Sequence, residues 1–259
     1  MVFGMEKLPL SVAIITLNEE GNLSRALKSV AFASQVVVVD SGSRDRTIEI
    51  AQEAGCEIYE RKWPGGFGAQ KQFALDQCRQ QWILLLDADE CIPPETADRI
   101  REICLAPVGE VVGYRFPRKN FFQGRWIRHA GWWPDRVLRL FRKGKGRMTL
   151  ATVHEAVWVE GKVVDLPTPI EHYTESDLSR IVEKINRYSS LGAEEALREG
   201  RTSTEMGAFF RAAAAFFHNY FLRLGFLDGY PGLTLAVTDA VNKFFKYAKL
   251  SQMARKKNA

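Results

Sequence analysis

The chain has 259 residues, enough for one large domain or a domain with an appendage, and enough to bury a sizeable core. Its 46% hydrophobic and 26% charged residues exclude a disordered or low-complexity protein. The net charge of +5 is unevenly placed: between Tyr114 and Arg147 stand eleven Lys/Arg and one acid, Asp135, so the remainder is acidic overall.

The first hundred residues alternate between strand and helix signals. LSVAIIT (10–16) is a continuous apolar run, as in a strand covered on both faces. Leu23, Ala26, Leu27, Val30 and Ala31 then recur at helical spacing, with Asn22 as the expected N-cap. QVVVVD (35–40) is a second buried strand, and SGSRDRT leads into a helix ending near Gly55. CEIYER is a shorter third strand, WPGGFG a loop, and 69–79 a helix. WILLLD is the fourth strand, and Pro93 and Pro94 open a helix through Leu105. Short strand–helix–strand repeats predict a parallel sheet with right-handed crossovers. After Pro107, VVGYRF, RVLRLFRK, TVHEAVWV and KVVDLPTPI read as strands with polar interruptions. From Ser176 the signal is helical, with further segments at 205–224 and 233–249.

Cys56, Cys78, Cys91 and Cys104 show no CxxC spacing and no His at zinc-finger distance, so they are expected to be reduced thiols of a cytosolic protein. The opening MVFGMEKLPLSV lacks the features of a signal peptide, and AAAAFFHNYFL falls short of the ~18 residues of a spanning helix. The chain is therefore expected not to cross a membrane. The basic segment reads either as a solvated face or as a surface for phosphates. No zinc-finger, RNP or other nucleic-acid motif accompanies it, so nucleic acid is not expected as a partner.

Ligands of an open parallel sheet bind beyond the carboxyl ends of its strands. Strand one delivers Thr16, Asn18, Glu19 and Glu20 there, strand two Asp40 and Ser41, and strand four Asp87 and Asp89. If the chain stays extended, Asp87 and Asp89 project to one side and Glu90 to the other. Two carboxylates aimed at one spot invite a hard divalent cation, Mg²⁺ or Mn²⁺, whose shell substrate phosphate often completes. The bland alternative is that these acids cap the following helix. No P-loop, dinucleotide fingerprint or GxSxG nucleophile motif is present.

SVAIITLNEEGNLSRALKSV, VVVVDSGSRDRTIEIA and WILLLDADECIPPE, in this order and spacing, resemble family 2 glycosyltransferases. The resemblance implies an α/β GT-A fold, with a Rossmann-like, mostly parallel sheet flanked by helices. The catalytic domain would span 1–175, followed by a helical extension over 176–259. GWWPDRVLRLFRK, VHEAV and GFLDGYPG are further similar to bacterial enzymes that add glucose to a heptose of the lipopolysaccharide inner core. The family implies that Thr16, Asn18 and Glu20 hold the nucleotide, that Asp40 accepts from uracil or ribose, and that Asp87 lies near ribose and diphosphate. Asp89 would ligate the metal, and His172 either supplies a late metal ligand or is a satisfied core histidine. Inversion needs a base for the acceptor hydroxyl. Glu155, 66 residues after Asp89, is favoured, with Asp135 in reserve or as an acceptor-positioning residue. Lys71 and Arg136 can bridge to phosphate, and Trp132 and Trp133 offer faces for a sugar ring.

In the tail, Phe209, Ala213, Phe216, Phe217, Tyr220 and Leu224 form one stripe. Leu233, Val237, Ala240, Val241, Phe244, Phe245 and Ala248 form another. These stripes predict either helix–helix packing or, with Arg255, Lys256 and Lys257, a basic amphipathic surface on an anionic bilayer. The expectation is a cytoplasmic enzyme held peripherally on the inner face of the cytoplasmic membrane. It would use a UDP-sugar and an anionic lipid-anchored saccharide acceptor. Transfer to a polyprenyl phosphate or to an exopolysaccharide or capsule intermediate is the alternative. A sugar nucleotidyltransferase and a non-catalytic UDP-sugar binding module are weaker readings.

Overall fold

The computed structural model describes residues 7–149, 156–174 and 177–258. The first apolar run forms β1 (Leu8–Thr16), whose Leu10, Val12, Ala13 and Ile14 are fully buried. Alternate residues serve different faces. Leu10, Val12 and Ile14 join one core cluster, and Ala13 joins a second, as the period of two requires. β2 (Ala33–Asp40) and β4 (Trp82–Leu85) flank β1 in parallel, and β3 (Glu57–Glu60) lies beyond β2.

The intervening segments supply α1 (Leu23–Ser29), α2 (Thr47–Glu53) and α3 (Phe67–Asp76). Leu23, Ala26 and Leu27 of α1 pack on one side of the sheet, and Ala74 and Leu75 of α3 belong to the cluster on the other. Asn22 precedes α1 but makes no side-chain cap. Its amide donates to Glu19 and its oxygen accepts from Arg25 instead. α4 (Pro94–Leu105) begins with Pro in its first turn, as read from the sequence, and buries Ile100, Ile103 and Cys104.

Past β4 the sheet becomes mixed. β8 (Asp135–Arg142) runs antiparallel to β4, followed by β6 (Val111–Phe122), β12 (Ile170–Tyr173) and the two-residue β5 (Glu90–Cys91). β11 (Lys162–Asp165) pairs parallel with β6, and β7 (Arg125–Trp126) pairs antiparallel with its end. β9 (Gly146–Met148) and β10 (Val157–Val159) form a separate ladder. The α/β class is as expected; the consecutive parallel strands are those of the first ninety residues.

The described chain divides into two compact units. One runs to Lys119 and resumes from Asp135 to Tyr173; the other comprises Asn120–Pro134 and the residues from Thr174 onward. The segment 120–134 thus groups with the helices. Those are α5 (Leu178–Arg198), α6 (Glu205–Phe217) and α7 (Gly229–Asn258), with a π-helical turn at His218–Leu222 and a 3-10 turn at Gly225–Asp228. Asp177 and Thr204 cap α5 and α6 by accepting from Ser179 N and Gly207 N. Small residues are prominent among the buried positions of these helices. Ala193, Ala196 and Leu250 form a buried cluster, while Ala208 and Ala215 are the buried positions of α6. Phe209, Phe217 and Leu224, part of the stripe for which the sequence offers either helix packing or a bilayer surface, are exposed.

Candidate active site

The carboxyl ends of β1 and β2 lie side by side, with Thr16 in register with Asp40. The buried Thr16 hydroxyl donates to Asp40 Oδ2 at 3.0 Å. Asp40 also accepts from Gly42 N, Ser43 N and Ser43 Oγ. Four donors match the lone-pair capacity of a carboxylate, so Asp40 fastens its own loop. The loop after β1 is tied to the loop after β2 residue by residue. Asn18, in the left-handed region at φ 56, donates its N–H to Ser43 Oγ and accepts from Arg44 N through Oδ1, both at 2.8 Å. Glu20 N donates to Asp45 and its carboxylate accepts from Arg46 N. Thr16, Asn18, Glu20 and Asp40 therefore come together as a shaped rim.

Beyond β4 the extended chain stops. Glu90 N donates to Asp87 O at 2.9 Å, closing a turn over Ala88 and Asp89. Asp87 and Glu90 consequently do not point apart: both carboxylates accept from Nη2 of Arg139, on β8. Six charges of alternating sign follow in a chain. Lys71 Nζ meets Asp87 at 2.7 Å, Asp87 meets Arg139, and Arg139 meets Glu90 at 2.7 Å. Glu90 then meets Arg118 at 3.4 Å, and Arg118 binds Asp135 through Nε and Nη2. Glu90 is fully buried and Arg139 nearly so. Burial alone would push the Asp87 carboxyl up, but the charges and hydrogen bonds of Arg139 and Lys71 hold it well below the usual carboxylate range. Burial opposes the charge on Arg139, and the two carboxylates override it and raise the guanidinium above its ordinary value.

Asp89 takes a different partner. His172 on β12 places Nε2 3.2 Å from Asp89 Oδ2, and Tyr173 N donates to Asp89 O. Burial disfavours the imidazolium, yet the Asp89 hydrogen bond and the charges of Asp89 and Glu90 raise the His172 pKa above its usual value. Among the described residues no group of three or more His, Cys, Asp or Glu side chains converges on a metal position. The pair nonetheless suits a cation of the Mg²⁺ or Mn²⁺ kind. An oxygen and a nitrogen donor face each other, both partly open, and such ions keep several sites for water and phosphate oxygens.

A cavity of about 460 Å³ lies against the charged chain, lined by Lys71, Asp87, Arg118, Arg136 and Arg139 among others. Arg136 sits 3.6 Å from Asp165 and donates to Leu166 O, while Arg115, also in the lining, meets Asp165 at 3.0 Å. The structure thus brings Lys71, Asp87 and Arg136 to one cavity, and Asp135 to its Arg118. Glu155 lies outside the described residues. The sequence reading omitted Arg139 and Arg118. A signal for Arg139 exists: it is the lone cation inside the apolar run Val137–Phe141, and a buried charge needs a partner.

The model for the Glycosyl transferase family 2 matches residues 11–158. The lipopolysaccharide core biosynthesis glycosyltransferase LpsC of Rhizobium meliloti is 36% identical over 95% of this chain and 93% of its own. An uncharacterized glycosyltransferase of Rickettsia bellii is 30% identical over 95% of this chain and 87% of its own. Among solved structures, S. aureus TarS 1–349 in complex with UDP-GlcNAc aligns at 15% identity and a TM-score of 0.47, covering 96% of this chain and 92% of that one. The chain belongs to glycosyltransferase family 2.

Proposed function

We propose that this glycosyltransferase moves a hexose, glucose, from a UDP-sugar to a heptose of the lipopolysaccharide inner core, with inversion at the anomeric carbon. The observation that carries the reading is the pair Asp89 and His172 beside the neutralised Asp87, beyond the carboxyl ends of parallel strands. Its similarity to LpsC, a lipopolysaccharide core biosynthesis glycosyltransferase, supports the choice of acceptor.

Asp89 and His172 would hold a divalent cation, which when bound offsets the charge that grows on the departing UDP. Thr16, Asn18, Glu20 and Asp40 form the rim for the nucleoside. Lys71, Asp87 and Arg136 line the space for ribose and diphosphate. As the acceptor oxygen bonds to the anomeric carbon, the bond to the UDP oxygen breaks and its electron pair leaves with UDP. The hydroxyl proton passes to Glu155, while Asp135, tied down by Arg118, positions the acceptor.

No described helix is long and apolar enough to cross a membrane. The exposed Phe209, Phe210, Phe217 and Leu222 instead suit peripheral attachment to the inner face of the cytoplasmic membrane, where a lipid-anchored acceptor would be met.

The test offers heptose-terminated lipopolysaccharide core and a panel of UDP-sugars, with Mg²⁺ or Mn²⁺, to the wild type and to Asp89→Ala, Glu155→Gln and Asp135→Asn. Transfer from UDP-glucose should drop by roughly 10²–10⁴-fold in Glu155→Gln, the range of a lost general base. Activity that survives Glu155→Gln but vanishes in Asp135→Asn reassigns the base. Failure of the core to accept sugar from any donor ends the reading.

A further inference from the structure

The second unit contains a cavity that the transfer chemistry does not use. Its volume of about 650 Å³ falls in the range of small-molecule sites. Phe122, Trp132 and Tyr188 line it, the first two with ring centroids 6.5 Å apart. Asn219 and Asp239 contribute a polar pair, the Asn219 amide donating to Asp239 Oδ2 at 2.8 Å. Asn242 also lines the cavity; its Oδ1 is shielded from solvent and accepts no hydrogen bond among the described residues. An unmatched buried amide oxygen is unusual in a folded protein. The remaining charged lining is Lys184, Arg223 and Lys243, three cations against the single carboxylate of Asp239, with His218 beside them.

Two irregular segments shape this wall. Ala130 and Gly131 both adopt positive φ, at 55 and 80. The Arg223 guanidinium lies so close to Gly131 that an added Cβ would collide with Nη1, and Ala130 N donates to Arg223 O at 2.8 Å. The π-helical turn supplies His218 and Asn219, a form that recurs at functional sites. The first segment is held: the buried Asp228 accepts from Arg128 N and His129 N just before Ala130. Backbone strain kept in place by its surroundings is a mark of a working site.

Sugar rings present C–H faces that pack on aromatic rings, and hydroxyls that pair with Asn and Asp. Phosphate or carboxylate substituents answer Lys and Arg. We infer that this cavity binds an acidic oligosaccharide, a short run of sugar rings carrying phosphate or carboxylate, as a subsite for the acceptor glycan. The inference rests on the proposed use of a saccharide acceptor and adds a place for it outside the charged chain around Arg139.

The experiment titrates the full chain with delipidated, phosphorylated, heptose-terminated core oligosaccharide and follows binding by calorimetry. The comparison variants are Trp132→Ala and the double variant Lys184→Glu with Lys243→Glu, whose two positions are exposed. The double reversal should weaken glycan binding on the order of a hundredfold, and Trp132→Ala on the order of tenfold, with UDP binding unchanged. Dephosphorylated glycan binding as well as the native one assigns the cations to carboxylates, and carboxyl-reduced glycan then shows the loss. A wild type that does not bind the glycan, or a double variant that binds it equally well, overturns the inference. Transfer to heptose is read separately. Binding that depends on Lys184 and Lys243 without transfer sinks the proposed function but keeps the site; transfer with binding indifferent to them does the reverse.

Discussion

The two units use their polar and apolar groups in opposite ways. In the first, the charged side chains nearest the candidate active site pair with one another from Lys71 to Asp135, about a centre formed by the buried Arg139 and Glu90. In the second, large apolar side chains such as Phe210 (63% exposed) and Leu222 (66%) face outward, while Ala193 and Ala196 are buried against Leu250. The first arrangement fixes geometry, because a buried ion pair is costly to disrupt yet contributes little to net stability when intact. The second leaves surface that a purely structural bundle would have covered.

The largest way to break this contrast is to remove the cation shared by Asp87 and Glu90. Arg139→Met leaves two carboxylates facing each other, one of them fully buried, and should cost about 3–5 kcal/mol in the first unit. The four thiols report on that unit alone, since Cys56, Cys78, Cys91 and Cys104 all lie in it. Burial pushes Cys56 and Cys91 up to about 11 and Cys78 and Cys104 up to about 12, so they react slowly while the unit is closed. Thiol labelling across a urea series should shift to much lower urea in the variant. A shift worth less than about 1 kcal/mol would mean that water, not Arg139, neutralises the site.

A smaller effect is expected in the second unit. Asp228→Ala removes the acceptor for Arg128 N and His129 N and should cost about 2 kcal/mol, with helical ellipticity as the readout and thiol labelling unmoved. Thiols that become reactive along with helix loss would show that the units do not open separately.

How much of this was legible in the sequence depended on whether local pattern or long-range partners decided the outcome. β1, β2 and β4 announce themselves as continuous apolar runs, and Pro94 marks the start of α4 because its missing N–H costs nothing there. The rim residues could be read from their places at strand ends. The sharing of Arg139 could not, because it depends on a turn at Ala88–Asp89 that flips Glu90 and on a strand fifty residues later. Alternation from Asp87 to Glu90 presupposed an extended chain, and the turn removed that premise. In the tail the period of 3.6 was correct for helix but not for its buried face. Hydropathy ranks Phe209 and Phe217 above Ala208 and Ala215, yet close helix approach favours the small residues. Nothing local marks the π-helical turn that brings Asn219 to Asp239.

The smallest stability effect sharpens the comparison most. Phe209 and Phe210 stand on α6 at 55% and 63% exposure, so replacing both with Ser should change the unfolding free energy by no more than about 0.5 kcal/mol each. If the same two rings enter a bilayer interface, their apolar area is worth about 1 kcal/mol or more apiece, and binding to anionic vesicles should fall by about tenfold or more. Stability and vesicle binding therefore separate the two roles an apolar helix face can have. Sedimentation with phosphatidylglycerol-containing liposomes at low salt, beside a thermal melt of the same samples, gives both numbers. A melt that drops by many degrees assigns the rings to internal packing. Wild-type protein that stays in the supernatant removes the membrane from the account, and the exposed face then needs another partner. Retained stability with lost sedimentation is the outcome expected if the exposed rings of α6 meet a bilayer rather than other helices.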